Sequence, residues 1–243
     1  MVRIGHASID ESGHAKGGQA GDQTGKEVCI RNWYNKNWHT VLRPKSPQVA
    51  EKMVKACIDG CLNPNIGYNQ NKRNSLRMQA INTKFDLAAI GVPCETDCSA
   101  FMSVCAEAAG VAMAGQYSAG NAPTTANMVK KFFATGMFDL LTDPIYLSSP
   151  NYLKKGDILV CVGHTVMVLD DGDNATSKPT LRKGSKGSWV KIMQSHLMMA
   201  GYQIVADGDF GPATERALRS FQEERGLVVD GVCGNKTWAV LMR

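Results

Sequence analysis

Residues Leu181 to Met242 carry an internal half-repeat, and no other stretch of the chain restricts the fold so tightly. Asp207-Gly208-Asp209-Phe210-Gly211-Pro212-Ala213-Thr214, with Leu218, aligns with Asp230-Gly231-Val232-Cys233-Gly234-Asn235-Lys236-Thr237, with Leu241. The shared frame is Asp-Gly-x-x-Gly-x-x-Thr-x-x-x-Leu. Its glycines suit turn positions with positive φ, and Pro212 suits a first helical position, where its missing N–H costs nothing. Ala217 and Phe221 then share one helix face, as do Trp238 and Leu241, and Val190, Met193 and Leu197 mark an earlier amphipathic helix. Asp207 and Asp209 read as turn formers, because a calcium loop needs further oxygen ligands and a distal Glu.

This segment resembles the three-helix peptidoglycan-binding domain found beside many wall hydrolases. The resemblance rests on Gly184-Ser185-Lys186-Gly187, Val190, Gln194, Leu197, Gly201-Tyr202, Asp207-Gly208, Phe210-Gly211, Thr214, Phe221-Gln222, Gly226-Leu227, Asp230-Gly231, Gly234 and Thr237-Trp238. Cys233 stands where a branched aliphatic residue is usual.

Upstream, two short motifs carry chemistry. In Thr96-Asp97-Cys98-Ser99-Ala100-Phe101, Asp97 is a favoured N-cap, and Phe101, Val104, Cys105 and Ala108 recur at helical spacing up to Gly110. Cys98 therefore falls in a first helical turn, where the helix dipole favours thiolate; the alternative is a thiol packed as a small hydrophobe. In the second motif, Asp157 to Val162 reads as a buried strand, Gly163-His164 interrupts it, and Thr165 to Leu169 resumes it. An imidazole beside a thiol supplies the base that a cysteine nucleophile needs.

Asp97-Cys98-Ser99 with Gly163-His164 resembles the NlpC/P60 and CHAP cysteine amidohydrolases, and Ile4 to Leu169 looks like the catalytic domain of phage-type lysins of Gram-positive hosts. The resemblance implies an α+β, papain-like NlpC/P60-type domain, with a Cys-bearing helix packed on an antiparallel sheet, followed by a small all-α three-helix domain. It implies Cys98 as nucleophile and His164 as base. The third catalytic group usually lies on the strand after the histidine strand, which is missing here, so an N-terminal strand pair is expected to supply that sheet edge. Asn32, in Val28 to Tyr34, is the first choice by resemblance to the last CHAP strands; Asp170 and Asp171 follow. Asp22 and Gln23 are further candidates at the substrate, and Tyr68 corresponds to the tyrosine that NlpC/P60 enzymes place beside the thiol. The backbone N–H of Cys98 or Ser99 suits an oxyanion donor. Trp33, Tyr34 and Trp38 either stack on glycan or pack.

The remaining sequence sets boundaries. Residues 1–25 are Gly-rich and polar and read as loop. Glu27 to Arg31 and Trp38 to Arg43 are expected to pair around Asn35-Lys36-Asn37. Ser46-Pro47 opens a helix halted near Gly60, Asn74 to Ala80 forms another, and Asn127 to Thr135 a third that buries Met128, Val129, Phe132 and Phe133. The expected division is a catalytic domain over 1–174, a polar linker over 175–183 and a wall-binding domain over 184–243.

A net charge of +5 suits approach to anionic wall polymers and is too weak to imply nucleic-acid binding. The N-terminus lacks the apolar core of a secretory signal, and no run is long enough to span a membrane. The eight cysteines are therefore expected as reduced thiols, and they lack the Cys-x2-Cys pairs of structural zinc sites. No cofactor or metal is expected. The implied function is a peptidoglycan hydrolase of endolysin type, a cysteine peptidase or amidase. Its bond would be that of a stem-peptide endopeptidase or an N-acetylmuramoyl-L-alanine amidase. The implied partner is bacterial peptidoglycan, with neither nucleic acid nor membrane, and the chain is expected as a monomer held in the host cytoplasm until release. The competing readings are a non-catalytic wall-binding protein with a degenerate hydrolase fold, and a zinc amidase, which lacks a clustered His/Asp ligand set here.

Overall fold

The computed structural model describes residues Met1–Met242, which form two compact units divided between Asp173 and Asn174. The first unit is α+β. In chain order its elements are β1 (Arg3–Ala7), β2 (Val28–Asn32), β3 (Thr40–Pro44), α1 (Pro47–Leu62), β4 (Ile66–Tyr68), α2 (Ser75–Asn82), β5 (Cys94–Thr96), α3 (Cys98–Ala108), α4 (Met128–Phe133), β6 (Phe138–Leu141), α5 (Pro144–Leu147), β7 (Ile158–Cys161) and β8 (His164–Val168). Six strands make an antiparallel sheet in the order β2-β1-β8-β7-β3-β6, and β4 and β5 pair in parallel.

The N-terminal seven residues depart from the expected loop. Val2 and Ile4 alternate with exposed Arg3, and β1 enters the sheet between β2 and β8, with Ile4 opposite Val168. The pair that stands at the sheet edge beside the histidine strand is β1 with β2, in place of the expected pairing of Glu27 to Arg31 with Trp38 to Arg43. The expected β2–β3 hairpin does not form. The two strands lie on opposite sides of the sheet, because β2 finds its partner in β1 and β3 finds its partners in β7 and β6. Asn37 does turn, with φ of 40°, but residues 33–39 cross the sheet end instead of closing a hairpin.

Helices α1 and α3 cover the sheet face bearing Ile158, Val160 and Met167, and all of these join one core cluster with Met53, Phe101, Met102 and Val104. Ser46 caps α1 and Pro47 occupies its first turn. Gly60 does not stop α1; it lets α3 approach, since a Cβ there would lie 2.6 Å from the Phe101 ring. In α4, Met128 and Phe132 are buried as expected, whereas Phe133 is 52% exposed.

The second unit is all-α, with α6 (Ser188–Met199), α7 (Pro212–Glu224) and α8 (Asn235–Leu241) around Val190, Leu197, Leu218, Phe221 and Trp238. A buried glutamine clasps each half of the repeat. Gln194 Nε2 donates to Asp207, to the Asp209 carbonyl and to Thr214, while its Oε1 accepts from Gly208 N. Gln222 makes the same set with Asp230, the Val232 carbonyl, Thr237 and Gly231 N. The frame's Asp, Gly and Thr therefore fix turns through one amide each. Part of the expected linker belongs to this unit, since the Trp238 indole donates to Pro179 O at 2.8 Å and Leu181 is buried beside Cys233.

Candidate active site

The start of α3 is held by a guanidinium. Asp97 caps the helix by accepting from Ala100 N at 2.7 Å. Arg73, from the segment before α2, donates to both oxygens of Asp97, to Ser99 Oγ and to the carbonyls of Ala122 and Pro123. A fork of five donors suits this many acceptors, where a lysine would not reach them. Cys98 is thereby fixed in the first turn, 5% exposed. The backbone N–H groups of Thr165 and Ser99 favour its thiolate, but burial and the Asp97 charge outweigh them and push the thiol up to about 12.

His164 begins β8, opposite Cys161. Side chains alternate along a strand, so His164 shares its face with Val166 and Val168, away from Thr165 and Met167. Its ring stacks on Tyr34 at 6.5 Å and Trp38 at 6.2 Å between centroids. Its Nε2 lies 3.4 Å from Nδ1 of His6 on β1, and His6 Nε2 lies 3.5 Å from Cys29 Sγ. Both histidines are nearly buried. Burial above all, helped by the positive charges of Arg31 and Lys36, lowers His164 to about 4; burial, His164 and the same two cations lower His6 to about 3. Both imidazoles are neutral at neutral pH, so one nitrogen donates to the other across this pair.

The structure thus gives the sequence-predicted residues unequal places. Cys98 reaches β8 at Thr165, next to His164, but among the described residues no hydrogen bond joins the thiol to the imidazole. Tyr68, opposite Thr96, is buried and within electrostatic reach of Cys98, which helps push its hydroxyl up to about 12 after burial. Asn32 is exposed at the far end of β2, opposite Arg3, and takes no part in the contacts of His164; the side chain that meets the imidazole is His6. Asp170 pairs with Arg3, and Asp171 accepts from Lys155 N. Asp22 accepts from Thr24 and Gly25 N, and Gln23 donates to the carbonyls of Ala20 and Gly21, so both staple the 20–28 loop instead of facing the histidines. Trp38 is buried against His164, which makes it a packing partner of the site.

Residues 4–175 match the family described as "Endolysin-like domain". The chain belongs to the endolysin-like domain family. Residues 186–241 of this endolysin-like chain match "Putative peptidoglycan binding domain". Among curated proteins it is 35% identical to "N-acetylmuramoyl-L-alanine amidase CwlL" of Bacillus licheniformis, over 35% of its own length and 25% of the relative. It is 42% identical to "Zinc D-Ala-D-Ala carboxypeptidase" of Streptomyces albus G over 24% of each chain. It is 38% identical to "Spore cortex-lytic enzyme" of Bacillus cereus over 37% of its own length and 36% of the relative. The endolysin-like chain therefore spans a quarter to about a third of these relatives.

These comparisons overturn the expected cysteine-peptidase class. The relatives carry the names of an amidase and a zinc carboxypeptidase. Zinc does not fit the residues either. Among the described residues no three His, Cys, Asp or Glu side chains could hold a metal ion. His6 faces His164 with one nitrogen and Cys29 with the other, so these donors do not converge on a common point. No helix is long and apolar enough to cross a membrane among the described residues.

Proposed function

We propose that this endolysin-like chain is a peptidoglycan hydrolase that cleaves an amide bond of the bacterial wall, with its reaction centred on His164 and its C-terminal unit holding it to the insoluble substrate. The observation that carries this reading is the buried His6–His164 contact at the start of β8. Amide cleavage needs a group that takes a proton from the attacking atom and returns it to the leaving nitrogen. A neutral imidazole does both, and a second neutral imidazole fixes its tautomer and ring orientation, as the third member of a catalytic triad does.

Cys98 and Tyr68 are proposed as neighbouring residues of this centre, without a covalent intermediate. Asn32, Asp22 and Gln23 are not part of it. The layout supports a papain-like arrangement at the level of fold, with the strands that usually follow the histidine strand supplied by the chain's own beginning. The wall-binding unit raises the local concentration of scissile bonds. Either an N-acetylmuramoyl-L-alanine amidase or a stem-peptide endopeptidase fits, since the difference lies in subsites and not in proton transfer. Digestion of purified peptidoglycan followed by mass spectrometry tests the proposal. Release of fragments with new amino termini supports it, on alanine for the amidase and within the stem or cross-bridge for the endopeptidase. Binding without release overturns it in favour of a wall-binding protein.

A further inference from the structure

Five arginines precede Asp173, and four are paired with carboxylates: Arg3 with Asp170, Arg43 with Asp157, Arg73 with Asp97 and Arg77 with Glu107. The fifth, Arg31, has no carboxylate within ion-pair distance among the described residues, and neither has Lys36. Both are exposed. Arg31 does not wander freely, because its guanidinium carbon lies 4.7 Å from the Tyr34 ring centre, and that ring stacks on His164. Guanidinium, phenol and imidazole thus form one continuous stack that ends at the group proposed to react.

We propose that Arg31 and Lys36 bind a free carboxylate of the wall's stem peptide beside the scissile amide. This rests on the hydrolase reading above. Neither cation has a carboxylate to neutralise it, and a bound anion supplies that missing charge. Guanidinium presents its donors as a planar fork that matches a carboxylate, and stacking on Tyr34 fixes the plane. Both cations act on His6 and His164 electrostatically, so the anion they hold lies close enough to influence the reacting imidazole as well. Phosphate of wall teichoic acid shares this charge, but it stands apart from the amide to be cut, whereas stem-peptide carboxylates lie along the same chain.

The test uses the full chain and two soluble muropeptide sets free of teichoic acid, one with free stem carboxylates and one with those groups converted to primary amides. Wild type is expected to show kcat/KM about tenfold or more higher on the carboxylate form, as expected for a charge-assisted hydrogen bond. The Arg31→Gln/Lys36→Gln double variant is expected to bring that ratio close to one, and Arg31→Glu to invert it. A structural defect would lower both rates together and leave the ratio, which overturns the assignment. A wild-type ratio near one, or a preference confined to whole walls carrying teichoic acid, also overturns it. No hydrolysis of either set overturns the hydrolase reading and this inference with it.

Discussion

His6 Nδ1 stands 3.4 Å from His164 Nε2, although 157 residues separate the two in sequence between β1 and β8. One member of the pair sits in the first strand of the sheet and the other in the last. The pair exists only because β1 pairs antiparallel with β8.

His164→Ala is expected to lower wall hydrolysis by roughly 10²–10⁴-fold, the range for loss of a general acid–base group. His6→Ala is expected to lower kcat by a smaller factor with little change in KM, because His6 acts through His164. His6→Gln, which restores a hydrogen-bonding partner, is expected to recover part of the rate and to shift the pH profile. Equal loss in His6→Ala and His6→Gln would assign His6 a packing role only.

The pH dependence follows from the two buried imidazoles. Their folded values, about 3 and about 4, lie below the ordinary 6.5, so the unfolded chain takes up protons that the folded chain refuses. Stability is fully present above 6.5, falls as pH drops below it, and levels off near the folded values. For His164 alone the loss amounts to roughly 3 kcal/mol. Denaturant titrations from pH 7 to pH 4 check this, and His164→Gln is expected to flatten the slope. The same lowered value keeps the base neutral, so kcat/KM is expected to hold at pH 5, where an ordinary histidine would be protonated.

Arg73→Lys is expected to destabilise the first unit by about 2 kcal/mol, since Asp97, Ser99 and two carbonyls lose a fork that ammonium cannot replace. Because α3 starts at this clamp, hydrolysis is expected to fall as well. Urea unfolding followed by circular dichroism checks the first effect. An unchanged midpoint would show that the clamp contributes nothing.

Gln194→Ala and Gln222→Ala are each expected to cost about 2 kcal/mol in the second unit, by leaving a buried threonine hydroxyl and a glycine N–H, half-buried at Gly208 and buried at Gly231, without the amide. Loss of wall binding in a pull-down should accompany the unfolding, while hydrolysis of soluble muropeptides by the first unit should persist. Both variants behaving as wild type would mean that the repeat is held by its apolar core alone.

Sequence alone made some of this legible. Asp97 as a cap, the periodicity of α3, the apolar runs of β7 and β8, and the repeat in the second unit are local signals, and the structure follows them. Gln194 and Gln222 were visible as residues, but their clasping of the turns was not. The sheet order was beyond local reading, because β2 and β3 carry no mark of which strand each will meet. His6 was missed for a specific reason. A five-residue strand containing Gly5, followed by a Gly-rich stretch, reads as loop. The alternation of Val2, Ile4 and His6 was the signal that could have revealed it. With β1 invisible, the sequence offers Asn32, which lies on the strand beyond β1, as the partner of His164.

The most direct measurement compares wild type and His164→Ala on purified peptidoglycan, following soluble amino groups released and protein bound to the same walls. Wild type is expected to bind and release fragments, and the variant to bind equally while release falls at least about 10²-fold. A variant that binds and still releases fragments at the wild-type rate would contradict the placement of the reaction at His164.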